Sequence, residues 1–412
     1  MFSRKGYLIK MFVLCWVMVL SLSVAEAATT YTLMITKLGN GSGTVTTSTG
    51  TITWNGSVGT ATYNTGTQVT LTATADAGSL FTNWTGCSPT TTATCVLLMT
   101  SNKDITVNFN LNASSRKSDF DGDGKGDIVL QNLKTGETYI WFMNGTVITS
   151  GGAPATVALT WQIKGVGDLD GDGKSDIVLQ DLTTGQIVIW LMNGYTIKSI
   201  GSPATVDLTW QIMGVGDLDG DGKSDIVFQN LTTGQIYVWL MNGTTIKDKG
   251  SPATVELTWI IKGVGDFDGD GKSDIVFQNM TTGYVYVWLM NGYTVLGGGS
   301  PATVDYLTWQ IKGVGDFDND GKNDIVLQNL KTGQIYIWFM NGYTVSGGGS
   351  PATVDYLTWQ IKNVSDYDGN GKSDIVFQNL YTGEVYIWLM NGATVEIGAS
   401  PATVDYQTWQ IK

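Results

Sequence analysis

The repeating order of apolar and polar positions is the strongest signal in the chain. From Asp119 onward, a run such as Asp225-Ile226-Val227-Phe228-Gln229 leads through a Thr-Gly turn into Ile236-Tyr237-Val238-Trp239-Leu240-Met241. An Asn-Gly turn, another short strand and Ser-Pro-Ala-Thr-Val follow, and a strand such as Leu208-Thr209-Trp210-Gln211-Ile212 opens the next unit. These runs are apolar throughout rather than alternating, which predicts strands covered on both faces. The unit recurs every 49 or 50 residues, its aspartate-rich segment beginning at 119, 168, 217, 266, 316 and 366. Four short strands per unit, all units alike, predict the blades of an all-β, six-bladed β-propeller. A right-handed β-helix also repeats, but its coils are shorter and rarely carry hairpin turns of the Asn193-Gly194 type.

The order of the strands predicts how the ring closes. A Trp-x-Ile strand occurs at 161, 210, 259, 309, 359 and 409, whereas none precedes the first aspartate segment. Pairing of Trp409–Lys412 with the sheet that holds Asp119 closes the ring through the C-terminal strand and leaves no open edge.

Residues 30–111 carry the other kind of pattern. Tyr31–Thr36, Gln68–Thr74 and Ile105–Phe109 alternate apolar and polar residues, as half-buried strands of a small β-rich domain do. The pieces Gly39-Asn40-Gly41-Ser42-Gly43-Thr44-Val45 and Phe81-Thr82-Asn83-Trp84-Thr85-Gly86-Cys87, then Cys95 and the closing strand to Phe109, resemble the divergent internalin-type B-repeat domains of bacterial surface proteins. That resemblance implies a small extracellular spacer or adhesive module. Trp54 and Trp84 could contact a sugar, yet core packing is the simpler expectation. Residues 112–118, Asn-Ala-Ser-Ser-Arg-Lys-Ser, are polar and read as a linker to the repeats of 119–412. At the other end, Arg4, Lys5 and Lys10, an apolar stretch from Met11 to Leu22 and Ala25-Glu26-Ala27 make residues 1–27 a secretory signal peptide. The apolar stretch is too short for a spanning helix.

Composition narrows the chemistry. The 412 residues hold 36 Asp+Glu against 23 Lys+Arg, 3 Cys and no His. Without histidine there is no Ser-His or Cys-His nucleophile pair and no imidazole zinc site. A net charge of −13 argues against a nucleic-acid partner, which needs a basic face. Once the leader with Cys15 is set aside, Cys87 and Cys95 remain, and in an oxidising compartment they are expected to form one local disulfide.

The acidity is concentrated in the repeated loops, which hold 23 of the 36 acidic residues. In Asp168-Leu169-Asp170-Gly171-Asp172-Gly173-Lys174-Ser175-Asp176, oxygens at positions 1, 3, 5 and 9 are spaced to wrap one hard cation. Four carboxylates this close repel strongly without one. Position 1 falls at Asp119, Asp168, Asp217, Asp266, Asp316 and Asp366, and position 3 at Asp121, Asp170, Asp219, Asp268, Asp318 and Asp368. Position 5 falls at Asp123, Asp172, Asp221, Asp270, Asp320 and Asn370, and position 9 at Asp127, Asp176, Asp225, Asp274, Asp324 and Asp374. At position 7 the backbone carbonyls of Lys125, Lys174, Lys223, Lys272, Lys322 and Lys372 face inward in loops of this kind. Calcium suits such a site better than magnesium, which wants a smaller octahedron and keeps its waters. An EF-hand is excluded, because position 12 is Leu or Phe (Leu179 and Phe228, for example) where a Glu is required.

These loops, with the Ile-Trp-(Leu/Phe)-Met-Asn-Gly segments that follow, resemble the FG-GAP or VCBS repeats of integrin-type propellers in their bacterial secreted forms. The resemblance implies one Ca²⁺ per loop, about six in all, held between two strands of a blade. Asn319 replaces the glycine of position 4, which Asn tolerates through the left-handed conformation. Asn370 replaces a ligand carboxylate, so the sixth site is expected to bind more weakly.

Nothing else in the chain singles out a catalytic group. Tyr139, Tyr237, Tyr286, Tyr336 and Tyr386 all occupy one repeated position, and no carboxylate pair stands outside the pattern. The expected protein is exported (extracellular, surface-held or periplasmic), monomeric and non-catalytic, with structural calcium. It serves as an adhesion or interaction scaffold for an extracellular protein or glycan, with no nucleic acid and no membrane span. The alternative is a multivalent lectin that stacks sugars on the repeated tryptophans, and a weaker one a calcium-dependent polysaccharide-acting enzyme. Of those tryptophans, Trp141, Trp190, Trp239, Trp288, Trp338 and Trp388 lie within the apolar runs and are expected in the core. Trp161, Trp210, Trp259, Trp309, Trp359 and Trp409 are less constrained.

Overall fold

The computed structural model describes residues 29–39, 41–75, 79–88, 92–111, 117–305 and 307–412. The expected leader at 1–27, and 112–116 of the expected linker, lie outside these residues. Among the described residues every regular element is a strand.

The N-terminal strands form two sheets. Five pair in the order Thr53–Asn55, Val58–Asn64, Thr30–Leu38, Lys103–Leu111 and Ser79–Thr85, and three in the order Gly43–Thr47, Gln68–Ala75 and Thr94–Leu98. The alternation seen in the sequence sets their inner faces: Leu33, Ile35, Val69, Leu71, Ile105, Val107 and Phe109 enter one core. Trp84 is buried in that core, and Trp54 packs against it half-buried with the Lys37 ammonium 4.3 Å from its ring centre. Cys87 and Cys95 are joined by a disulfide, their Cα atoms 5.9 Å apart.

The repeats fold into six four-stranded antiparallel sheets. Sheet 2 runs from an inner strand, Trp161–Gly167, through Asp176–Asp181 and Ile187–Asn193 to an outer strand, Thr196–Gly201. Sheets 3 to 6 repeat this order from the inner strands Trp210–Gly216, Trp259–Gly265, Trp309–Gly315 and Trp359–Ser365. Sheet 1 lacks such a strand from its own repeat. Its innermost place is taken by Trp409–Ile411, which pairs antiparallel with Ile128–Asn132 in the register Trp409↔Asn132, Gln410↔Gln131 and Ile411↔Leu130.

The second strand of every sheet is buried along its whole length, as the unbroken apolar runs predict. Coverage comes from both neighbours. Ile177 of sheet 2 packs with Val129 and Ile140 of sheet 1, whereas Val178 of the same strand packs with Ile226 and Phe228 of sheet 3. Leu130 and Ile411 of sheet 1 share a core with Val376 and Val385 of sheet 6. Of the tryptophans expected in the core, Trp190, Trp239 and Trp388 are buried, while Trp141, Trp288 and Trp338 are half-buried. The Trp161 set is half-buried throughout, each ring lying against one of these clusters.

A glutamine that the sequence reading passed over ties the sheets together. Gln131, Gln180, Gln229, Gln278, Gln328 and Gln378 sit buried in the second strands. Each Nε2 donates to the carbonyl of the inner-strand tryptophan of the next sheet, for example Gln229 to Trp259 at 2.6 Å and Gln378 to Trp409 at 2.9 Å. One polar residue at the same place in six apolar strands was the available signal.

Candidate metal centres

Each aspartate loop leads into the buried second strand of its sheet; its position-9 aspartate begins that strand in sheets 2 to 6 and immediately precedes it in sheet 1. In sheets 2 to 6 the inner strand leads straight into the loop, whereas in sheet 1 the loop follows Lys117 and Ser118. The loop turns on positive-φ residues at positions 4 and 6, such as Gly171 (80°) and Gly173 (86°). At position 4 of the fifth loop Asn319 takes φ 60°, the left-handed conformation anticipated for it.

The position-1 carboxylate organises the turn. Asp168 accepts from Gly171 N (2.7 Å) and Gly173 N (2.8 Å), one on each oxygen, and the same pair recurs at Asp119, Asp217, Asp266, Asp316 and Asp366. The position-9 carboxylate locks the loop to its sheet. Asp225 accepts from Leu218 N within the loop and from Met241 N on the third strand, both at 2.8 Å. Asp127, Asp176, Asp274, Asp324 and Asp374 make the equivalent pair.

Oxygens from positions 1, 3 and 9 converge in the first four loops, within 4.8 Å of one another: Asp119, Asp121 and Asp127; Asp168, Asp170 and Asp176; Asp217, Asp219 and Asp225; Asp266, Asp268 and Asp274. In the fifth loop the group is Asp316, Asp318 and Asp320, which brings in position 5. The position-5 aspartates of the first four loops, Asp123, Asp172, Asp221 and Asp270, are exposed. In loops 2 and 3 an outer-strand lysine reaches the carboxylates: Lys198 Nζ lies 2.8 Å from Asp170 and 2.9 Å from Asp172, and Lys247 Nζ 2.8 Å from both Asp219 and Asp221. In loops 1, 4 and 5 the position-7 lysine side chain pairs with position 5, as Lys125 does with Asp123 at 2.9 Å. Asn370 holds the Lys372 N–H with its Oδ1 (2.7 Å) and donates to Asp368 through Nδ2 (3.1 Å).

Burial decides the electrostatics. The position-9 carboxyls of Asp127, Asp176, Asp225, Asp274, Asp324 and Asp374 are pushed up to about 8 by burial, although two backbone N–H groups on each favour ionisation. At position 1, burial raises Asp217 and Asp366 to about 6 and Asp266 and Asp316 to about 7. Neighbouring carboxylates in the loop push the same way. A divalent cation among these oxygens would reverse that balance and hold every carboxylate ionised.

Adjacent loops are bonded to one another. Ser175 N donates to the Asp119 carbonyl, and Ser224, Ser273, Asn323 and Ser373 do so to the position-1 residue of the preceding loop, at 2.5–2.6 Å. Gly126 N of the first loop makes the same bond to Asp366 of the last, at 2.6 Å. A second set runs from each Asn-Gly turn to position 2 of the preceding loop, from Gly194 N to Phe120 O through to Gly145 N to Tyr367 O, at 2.7–2.9 Å.

Family comparison agrees with both parts of this architecture. Residues 31–113 match the model of the divergent InlB B-repeat domain, and residues 119–179, 168–228 and 266–327 match that of the FG-GAP-like repeat. Comparison with curated proteins found no match. Among solved structures, the chain is similar to one in a nidogen/laminin complex (12% identity, TM-score 0.47), covering 66% of this chain and 92% of that one. It is also similar to the Cps50 (Swd1) β-propeller domain of Myceliophteria thermophila (8% identity, TM-score 0.41; 71% and 88% covered). A third is a luciferin-regenerating enzyme (12% identity, TM-score 0.40; 72% and 94% covered). Residues 31–113 are thus a divergent InlB B-repeat domain, and the chain that follows carries FG-GAP-like repeats.

Proposed function

We propose that residues 119–412 form a closed six-bladed β-propeller, that each aspartate loop binds one Ca²⁺, and that the protein is an exported, non-catalytic scaffold for adhesion or interaction. Closure is supported by the pairing of Trp409–Ile411 with sheet 1 and by the bond from Gly126 to Asp366. The calcium sites are supported above all by the buried position-9 carboxylates, six groups set among other carboxylates, whose burial favours a bound cation as counter-charge. In the first four sites positions 1, 3 and 9 are the core ligands, and in the fifth position 5 joins positions 1 and 3. Position 5 and the position-7 carbonyl complete the shell, with Asn370 supplying a neutral oxygen in the sixth.

Such calcium is structural: it bridges the inner-strand end of the loop to the start of the second strand. The Cys87–Cys95 disulfide fits an oxidising compartment. No helix among the described residues is long and apolar enough to cross a membrane. With near-identical blades the molecule presents a uniform platform, monomeric, to an extracellular protein or glycan. The lectin reading has one specific observation in its favour, the half-buried Trp161 set, whose exposed edges recur around the sheets.

The test is retention of the purified chain on host- or cell-derived surfaces with calcium and with chelator. The scaffold reading predicts retention that calcium supports and a chelator abolishes. Retention on a glycan array that free sugar displaces would transfer the assignment to the lectin, and no calcium-dependent retention on either would refute both.

A further inference from the structure

A second charged cluster lies away from the aspartate loops, on the inner strands. At one place in each of sheets 2 to 6 stands a bulged residue, Lys164, Met213, Lys262, Lys312 and Lys362, around which the pairing register shifts. Lys412 follows the inner strand of sheet 1 directly and holds the corresponding place. A bulge re-aims a side chain, and the inner strands of sheets 2 to 6 stand side by side. The lysines therefore converge: Lys312 feels the charges of Lys262 and Lys362, and Lys412 those of Lys164 and Lys362.

Lys117 completes the group. It stands two residues before its loop, where the other sheets have a valine such as Val264, and its Nζ donates to the Val264 carbonyl of sheet 4 at 2.9 Å. In a ring of six, sheet 4 lies opposite sheet 1, so this side chain crosses the axis.

These six lysines are half-buried, and among the described residues no ion pair joins any of them to a carboxylate. Four reach only the glutamine two residues before them, as Lys312 does Gln310 at 3.0 Å. A chain with 36 acidic residues has carboxylates to spare, yet among the described residues none pairs with these lysines. Beside Lys117, Lys164, Lys412 and Asn363 lies a cavity of about 190 Å³.

We propose that the axis of the ring is a binding site for a small multivalent oxyanion of the sulfate or phosphate type. It would be held by Lys117, Lys164 and Lys412 beside the cavity, with Lys262, Lys312 and Lys362 lining the same channel. An oxyanion offsets the mutual repulsion of half-buried ammonium groups and gives each the charged acceptor it lacks. The group could arrive as a free ion or as an ester on a larger molecule. This inference rests on the ring and is independent of what the outer surfaces bind.

The experiment is calorimetric titration of the calcium-loaded chain with sodium sulfate in chloride buffer of matched ionic strength, and in parallel with a sulfated monosaccharide. The comparison protein is Lys164→Met with Lys412→Met, which copies the residue sheet 3 carries at this place, Met213. One sulfate per chain is expected, with affinity at least tenfold weaker in the double variant while its calcium-dependent melting is retained. Tighter binding of the ester would identify the source as a sulfate ester. Should the double variant not fold, Lys312→Met alone is expected to weaken sulfate about threefold. Absence of binding to the parent protein, or equal affinity in a folded variant, overturns the proposal.

Discussion

At the scale of single residues, the position-9 aspartates carry two separate duties. Each accepts two buried backbone N–H groups whatever else the loop binds, and each offers a carboxylate on a residue no more than 1% exposed. Replacing Asp225 by Ala leaves Leu218 N and Met241 N without acceptors. An unsatisfied buried donor costs about 1–3 kcal/mol. Urea unfolding in chelator is therefore expected to show a loss of about 2 kcal/mol or more, and calcium stoichiometry to fall by one. A variant as stable as the parent, with full stoichiometry, would remove position 9 from the site. The outer-strand lysines act in the opposite sense. Lys247 neutralises Asp219 and Asp221 and so competes with a cation for the same oxygens. Because it is largely exposed, its effect is screened, and Lys247→Met is expected to tighten calcium at loop 3 only about two- to fivefold. Site-resolved calcium titration reads that change, and unchanged or weaker binding would contradict it.

At the scale of elements, the decisive feature is the inner strand of sheet 1, which is assembled from two distant parts of the chain. Trp409–Ile411 supplies the ladder, while Lys117 and Ser118 lead into the loop. Ser365 Oγ donates to the Lys117 carbonyl, and Asn363 Nδ2 to Ser118 Oγ at 3.2 Å, so sheet 6 holds that second part in place. Truncation after Gln407 would expose the edge of Ile128–Asn132, a strand with five buried residues. Lower thermal stability and concentration-dependent association by light scattering are expected. A truncated chain that melts like the parent and stays monomeric would show that this strand does not seal the repeats.

The strands and aspartate loops are legible in the sequence because every repeat restates them, and six copies separate a pattern from an accident. Turn chemistry adds to this, since Asn319 at φ 60° is what a left-handed position allows without glycine. The lysine cluster is not legible. Lys164, Lys262, Lys312 and Lys362 are each one polar residue in the middle of a seven-residue strand, and only the bulges and the lateral packing of those strands bring the cluster together. Nor does spacing reveal Lys198 and Lys247, which reach loops more than twenty residues behind them in two repeats alone.

At the scale of the whole molecule, the proposed calcium sites are expected to make stability depend on pH and calcium together. Without metal, the position-9 carboxyls keep their protons up to about 8 in the folded state but lose them near 4 when unfolded. The folded state therefore binds more protons between those values, and stability falls as pH rises through the window. In chelator, the melting temperature is expected to decline from pH 5 to pH 8. In calcium the ion replaces the protons, so the rise in melting temperature on adding calcium should be larger at pH 8 than at pH 5. A calcium effect that shrinks with rising pH would contradict this linkage.

The most direct test of the central claim is calorimetric titration of the chelator-stripped protein with calcium, paired with thermal melts. Binding of about six ions per chain is predicted, with a clear rise in melting temperature; at calcium 100-fold above Kd, each site adds about 2.7 kcal/mol. No heat of binding and an unchanged melt would leave six solvated aspartate turns and contradict the account.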